Sequence, residues 1–315
     1  MEKKASLLIP RRRITLKCLD DLFGAAQGRP TKKIAVAVPE EESVVKLVKQ
    51  AMELGHADFI LVGDEVKIKE MLEIQGLNWR TFEIHDEKDH RFAAEKAVGL
   101  VVEKRADVVM KGELHTATFL KALLNKEKGL RTGNLVSEIT LYDKEDGDGI
   151  RLITDCAMCI IPTLDEKRQI IENAVELAMK LGYEKPKVAV LSAVEVVNPA
   201  IPDTLDAAIL SKMADRGQIR NALVDGPFAL DNAISPAAAR QKKIAGEVAG
   251  QADIILVPNL QVGNALRKSL TYIARKKVTS AVMGVRAPVV MLSRTDSIEA
   301  KLLSVALSTY LSDKS

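Results

Sequence analysis

The sequence predicts an α/β protein built as two α/β/α domains with mostly parallel sheets. Three observations carry that expectation. Short β-branched runs alternate with segments of helical spacing along most of the chain. No Gly/Ser linker, low-complexity tract or fixed-period repeat interrupts the alternation. A chain of 315 residues also exceeds what most single cores hold. Two domains packed together, with a cleft between them, follow.

The alternation begins with "KIAVAVP" (33–39), "ADFILVGD" (57–64), "TFEIHD" (81–86) and "ADVVMKG" (106–112) as strands. Between them, "EESVVKLVKQAMELG" and "HRFAAEKAVGLVVEKRA" carry apolar residues at helical spacing. After Gly133 the pattern changes: "LVSEITLYD", the polar turn "KEDGDG" and "IRLITDCAM" read as an antiparallel hairpin with a long loop. Alternation then resumes. Helices are expected at "DEKRQIIENAVELAMKLG", "PDTLDAAILSKMADRG", "SPAAARQKKIAGEVAG" and "VGNALRKSLTYIARK", and strands at "KVAVLSAV", "NALVDGP" and "ADIILVPN". Strand material in "TSAVMGVRAPVVMLS" precedes a final helix from about Ser297 to Leu311.

Composition excludes several classes. Hydrophobic residues make up 47% and charged residues 28%, and no apolar run approaches the ~18 residues a membrane helix needs. The opening "MEKKASLLIPRRRITLK" is cut by Pro10 and the arginines before it could form a signal-peptide core, so the cytoplasm is the expected location. Net charge is only +3 with both signs interspersed, which speaks against a nucleic-acid binder; Arg11 to Arg13 read as a solvated edge. Three cysteines in this length argue against a disulfide framework. Cys156 and Cys159 form a C-x-x-C in a strand-like stretch ended by Pro162, without the second ligand pair a zinc site needs, and read as buried structural thiols. The four histidines show no metal-ligand spacing, so no metal is expected.

In parallel α/β sheets, ligands sit beyond the C-terminal ends of strands, where helix N-termini aim N–H groups outward. The residues just past the strands are therefore the informative ones. They are Lys111, Gly112 and His115; Asn198; Asp225 and Gly226; Asn259, with Gly263 and Asn264 beyond; and Ser293 with Arg294. Amides, hydroxyls and cations in these positions suit a phosphate-bearing ligand. His115 reads equally as a helix-start residue and as a ligand contact. No G-x-x-x-x-G-K-[ST], no G-x-G-x-x-G after a strand and no G-x-S-x-G occurs, which weakens nucleotide hydrolysis, dinucleotide binding and α/β-hydrolase chemistry.

Three long stretches, "KVAVLSAVEVVNPAIPDTLDAAILSKMADRGQIRNALVDGPFALDNAIS", "ADIILVPNLQVGNALRKSL" and "APVVMLSRTDSIEAKLLSVALS", resemble the phosphate acetyl/butyryltransferase family in the same order. The segment "VDGPFALDNAIS" is closer to the butyryl branch than to the acetyl branch. The resemblance implies reversible transfer of a short acyl group, butyryl or branched-chain, between CoA and inorganic phosphate, with CoA as substrate and no bound cofactor. It also implies the isocitrate/isopropylmalate dehydrogenase-like fold with its active site in the interdomain cleft. The first domain would then comprise residues 1–135 plus 281–315 and the second residues 136–280. A homo-oligomer is what the family suggests.

Attack of phosphate on a thioester brings an anion toward a carbonyl that is itself gaining negative charge, and each pre-arranged donor is worth about 3 kcal/mol there. An Arg and a hydroxyl at a strand end supply such donors. By resemblance, Ser293 and Arg294 are catalytic, Arg294 binding phosphoryl oxygens and Ser293 serving the thiol side; a solvent-facing turn is the plain alternative. Lys111, Arg131 and His115 are further candidates for phosphate, and Lys111 and Arg131 are offered in place of an arginine of the acetyl branch that has no evident counterpart here. Asn259, Gly263, Asn264, Asp225 and Asp231 are candidates for CoA. Asp225, Asp231 and Asn232 could equally cap the helix near Ser235, and Lys268 reads as solvated.

The acetyl branch carries an Asp, proposed as base for the CoA thiol, where this chain has Ala300. Asp296 and Glu299 lie close, but "DSIE" reads as a capping box with Asp296 at the N-cap and Glu299 at N3. A thiol of ordinary pKa, about 8.5, needs only modest electrostatic help to ionise. The alternatives are a phosphate acetyltransferase, a metal-dependent hydroxy-acid dehydrogenase on the same fold, and a CoA or acyl-phosphate binding protein without catalysis.

Overall fold

The structure, a computed structural model, describes residues 16–26, 30–145, 147–291 and 295–313. In chain order, the first half holds α1 (Asp21–Ala26), β1 (Lys32–Ala37), α2 (Glu42–Glu53), β2 (Ala57–Gly63), α3 (Glu65–Ile74), β3 (Glu83–Asp86), α4 (His90–Val102), β4 (Val108–Lys111) and α5 (Thr116–Leu123). Next come β5 (Ser137–Asp143), β6 (Ile150–Thr154), α6 (Leu164–Lys180), β7 (Lys187–Leu191), α7 (Pro202–Asp215), β8 (Leu223–Phe228), α8 (Leu230–Ile234) and α9 (Pro236–Gln241). The chain ends with β9 (Ile254–Leu256), α10 (Leu260–Lys268), β10 (Val278–Met283), β11 (Val289–Val290) and α11 (Ile298–Ser312).

Two sheets result. The first has the order β11-β4-β1-β2-β3 and is parallel throughout. The second has the order β10-β5-β6-β9-β7-β8, antiparallel where β10 meets β5 and β5 meets β6, parallel elsewhere. The hairpin expected after Gly133 is thus β5–β6. Strands read as near-continuous apolar runs because both faces are covered. In β1, Ile34 and Val36 join one core with α2 and α3, while Ala35 and Ala37 join the opposite core with α4 and α5. In β9, Ile254 and Leu256 face the core of α6 and α7, and Ile255 faces the other. A period of two residues thereby splits each strand between two layers.

The lobes share α11. Ile298, Leu302 and Val305 pack on the first sheet, whereas Leu303, Ala306 and Leu307 pack in the core of the second. Two chain crossings also join them, one before β5 and one after β10. There Arg286 N–H donates to Leu130 O at 2.9 Å, its Nη2 donates to Gly129 O at 2.7 Å, and Thr132 Oγ1 donates to Gly284 O at 2.8 Å.

Four expectations need correction. The boundary placed at 280/281 falls inside β10, whose six residues all pair with β5. Leu16, Leu19 and Leu22, placed with the first domain, pack in the core of the second sheet, because α1 lies against α11 and that sheet. The helix expected over 235–250 stops at Gln241: Lys243 takes φ +57°, and Gly246 and Gly250 also take positive φ. Cys156 and Cys159 lie beyond the end of β6, not in a strand. Cys156 is buried, its thiol donating to Ile153 O at 3.6 Å, while Cys159 is half-buried and donates to Val136 O at 3.8 Å. Arg11 to Arg13 lie outside the described residues. Among the described residues no helix is long and apolar enough to cross a membrane.

Candidate active site

Of the candidate residues, Lys111 lies at the C-terminal edge of the first sheet. Strand β1 ends at Ala37, and Val38 then takes φ +57°, a left-handed conformation that costs a β-branched residue roughly 1–3 kcal/mol. The loop after β4 locks onto that turn: Gly112 N–H donates to Ala37 O at 2.8 Å and Glu113 N–H to Val38 O at 2.7 Å. A Cβ on Gly112 would stand 2.1 Å from Val38 O, so only glycine permits the approach. Lys111, the last residue of β4, is 6% exposed, and its Nζ donates to Gly112 O at 3.0 Å. On the other side of β4, Val289 and Val290 of β11 pair with Val109 and Met110. Met291 therefore leads the chain out of the sheet beside Lys111. The next residues include Ser293 and Arg294, which lie outside the described residues.

Helix α11 begins after them, and its cap differs from expectation. Ser297 is the N-cap, its Oγ accepting from Ala300 N–H at 3.2 Å, so Ala300 occupies N3 and the Asp296–Glu299 box does not form. Glu299 is instead drawn to Lys277, at 2.8 Å. A serine in extended backbone with its hydroxyl over the first turn satisfies an orphan N–H one residue later than the acidic pattern suggested.

The remaining candidates are spread apart. His115 is an exposed helix start: it is the N-cap of α5 and makes no side-chain capping bond. Arg131 is exposed and forms a backbone bridge with Val285 where the chain crosses between lobes. Asn259 caps α10, its Oδ1 accepting from Val262 N–H at 3.1 Å, at the C-terminal edge of the second sheet. Gly263 has no room for a side chain: a Cβ there would lie 2.3 Å from Asp155 O, so α10 rests directly on the chain leaving β6. Asn264 is exposed.

Asp225 does not follow its strand but lies within it, since β8 continues to Phe228 past an irregularity opposite β7. Burial pushes its carboxyl above the ordinary value, against the Gly226 N–H that it accepts at 2.8 Å. Asp231 is exposed and paired with Lys242 at 2.9 Å, whose hydrogen bond holds its carboxyl below the ordinary value. Asn232 is buried, its Nδ2 donating to Glu195 Oε1 at 2.6 Å. None of the three caps the helix that follows, because Ser235 does so itself, accepting from Ala238 N–H at 3.3 Å. Asn198 sits in the turn before α7, where its N–H donates to Thr204 Oγ1. Lys268 ends α10 with its Nζ 5.7 Å from the centre of the Tyr272 ring.

Two features escaped the sequence reading. Glu138 at the start of β5 is 1% exposed, 3.4 Å from Arg267 Nη1, and burial pushes its carboxyl up. Lys301 in the first turn of α11 is 5% exposed. The signal for Lys301 was present, because a cation falls on the apolar stripe of Ile298, Leu302 and Val305.

Comparison with known proteins supplies the family. Residues 91–309 match the family model described as phosphate acetyl/butaryl transferase. The chain is 46% identical over 296 residues to a phosphate butyryltransferase of Clostridium acetobutylicum, covering 94% of this chain and 98% of that one. Among solved structures it resembles a branched-chain phosphotransacylase from Enterococcus faecalis, at 33% identity and TM-score 0.80, over 90% of this chain and 99% of that one. A 4-hydroxythreonine-4-phosphate dehydrogenase from Burkholderia phymatum shares the fold alone, at 12% identity and TM-score 0.54, over 90% of this chain and 99% of that one. The chain belongs to the phosphate acetyl/butyryl transferase family.

Proposed function

We propose that this protein is a phosphotransacylase that moves a butyryl or branched short acyl group between CoA and inorganic phosphate. The observation that carries the reading is the 46% identity to a phosphate butyryltransferase over nearly the whole chain. A phosphate oxygen attacks the thioester carbonyl carbon; the tetrahedral oxyanion collapses with cleavage of the C–S bond. The thiolate leaves and takes a proton to become free CoA, and the acyl phosphate remains. CoA is a substrate here, with no cofactor assigned.

Arg294 would hold the phosphate oxygens and Ser293 would serve the sulfur. The buried ammonium of Lys111, on the strand beside the one that leads into them, supports placing negative charge at this edge. Arg131 and His115, both exposed, would meet phosphate from the crossing and from the start of α5. Asn259 and Asn264 on α10 would meet CoA, the N–H groups of that helix suiting its phosphates. Asp225 and Asp231 are the weaker CoA candidates, because one is held within β8 and the other by Lys242. We divide the chain along its sheets, with the second crossing at Gly284–Pro288 as the boundary and residues 16–26 assigned to the second lobe. Exposed Ile160, Ile161, Val196, Val197, Tyr272 and Ile273, all in the second lobe, support a homo-oligomer. A cytoplasmic location suits both substrates.

Purified protein is incubated with butyryl-CoA, isobutyryl-CoA or acetyl-CoA, with and without phosphate, and free thiol is followed. Phosphate-dependent thiol release, fastest with the four-carbon substrates, is expected; none with any of them would leave only a binding protein. Arg294→Ala should lower kcat/KM at least about 100-fold, equivalent to about 3 kcal/mol. Rates near wild type in that variant would displace the site from residues 293 and 294.

A further inference from the structure

His56 is a buried titratable side chain that the chemistry above does not use. It sits in the turn between α2 and β2, 4% exposed, and among the described residues neither ring nitrogen has a hydrogen-bond partner. A buried polar group left unpaired costs about 1–3 kcal/mol, so core stability does not account for the imidazole. Its ring stacks on Phe23 of α1, with centroids 5.5 Å apart and planes 26° from parallel. That contact joins the two lobes. Leu16, Leu19 and Leu22 are buried in the second-sheet core, and Phe23 packs against the same core. Among the described residues, the hydrogen bonds and ion pairs that tie residues 16–26 to the rest of the chain run to the second lobe. Leu16 N–H donates to Leu181 O at 3.2 Å, Leu19 N–H to Asp143 Oδ1 at 2.7 Å and Gly149 N–H to Lys17 O at 2.8 Å, while Asp20 pairs with Lys277 at 3.0 Å. His56 belongs to the first lobe, at the start of β2.

Among the described residues, no charged group offsets a proton on this ring. Glu53 and Asp58 flank it in the chain. Lys32, on the strand paired with β2, is held at 2.8 Å by Asp313 at the end of α11. On the side of α1, Asp21 accepts from the N–H groups of Lys17 and Cys18, and Asp20 is held by Lys277. Burial alone lowers the pKa of the imidazole, and none of these charges contributes. We propose that His56 is a proton-sensitive latch between the lobes: neutral, it receives Phe23 and holds α1 against the first lobe; protonated, it must reach water, and α1 parts from the first lobe while its leucines stay in the second. Below the ordinary histidine value of about 6.5, the parted state binds a proton that the docked state resists. Docking therefore weakens by up to about tenfold per pH unit, until the lowered value of the docked ring is reached. Above the ordinary value the latch is closed and independent of pH. The proposal stands apart from the phosphotransacylase reading, because it uses no candidate site residue.

Hydrogen exchange tests it. Protection of residues 21–26 and 54–57 is followed from about pH 7.5 to about pH 5.5, corrected for the intrinsic exchange rate at each pH, with residues 170–178 inside α6 reporting global opening. In wild type, protection of the first two segments should fall about fivefold across this range while 170–178 holds. His56→Leu keeps an apolar body against Phe23 and takes no proton, so its protection should not change with pH. Phe23→Ala removes the other half of the contact and should leave both segments weakly protected at either pH. In wild type, the Cε1–H NMR signal of His56 should titrate below the ordinary histidine range. The same pH dependence in wild type and His56→Leu overturns the proposal, as does a loss at 170–178 in step with 21–26. Wild-type protection in Phe23→Ala also overturns it. So does an imidazole that titrates at about 6.5 or above, whether or not either variant folds.

Discussion

His56 stacks on Phe23 with ring centroids 5.5 Å apart, is 4% exposed, and has no hydrogen-bond partner at either ring nitrogen among the described residues. Burial holds its pKa below the ordinary 6.5. Below that value the unfolded chain binds a proton that the folded chain resists, so stability falls with pH until the folded value is reached. Glu138 and Asp155, pushed up by burial, act the other way: each keeps its proton better when folded, so each favours the fold more as pH drops. Comparing wild type with His56→Leu cancels the carboxylates. The stability difference, from urea midpoints, should move in favour of the variant between about pH 8 and about pH 5.5; a difference independent of pH would mean the histidine is not buried neutral. The sequence showed four histidines without metal spacing, but burial on a phenylalanine depends on α1 lying against the start of β2. Gly263 repeats the lesson. Its smallness was legible, and the carbonyl of Asp155 that demands it was not.

At the scale of elements, most strands and long helices were legible because each buries residues at its own period. The parallel runs of β1, β2, β4, β7 and β9 and the amphipathic α2 and α6 needed no tertiary information beyond that. The exceptions lie where local rules compete. Residues 235–250 are rich in alanine and read as one helix, yet a Cβ on Gly250 would stand 2.5 Å from Pro236 Cα, so the chain folds back on the helix start. The start of α11 was misread by one residue, because Asp296 and Ser297 are both capping types and only geometry chooses. Ser297→Ala should cost about 1 kcal/mol of unfolding free energy in urea titrations; an unchanged midpoint would place the cap elsewhere.

For the whole molecule, α11 matters most, since it contributes to the cores of both sheets. Trp79, the only tryptophan, packs against the first-sheet core, whereas Leu307 is fully buried in the second. Leu307→Ala should cost about 2–5 kcal/mol. If α11 couples the lobes, Trp79 fluorescence and far-UV circular dichroism should shift to the same lower midpoint; a Trp79 transition left at the wild-type midpoint would show lobes that unfold independently. The sequence by itself determined the α/β class, the succession of strands and helices, the hairpin that interrupts it and the family. It also offered the residues after each strand as candidates for chemistry. All of these are local, because periodicity records which face of each element is buried and a motif is contiguous in the chain. Only the tertiary structure decided that α1 packs with the second lobe, that β10 belongs to its sheet, that α11 serves two cores and that Lys301 meets Ser43. Those contacts join residues far apart in the chain, where the free energy comes from surfaces that must fit each other, and no local pattern records which partner a buried face will find.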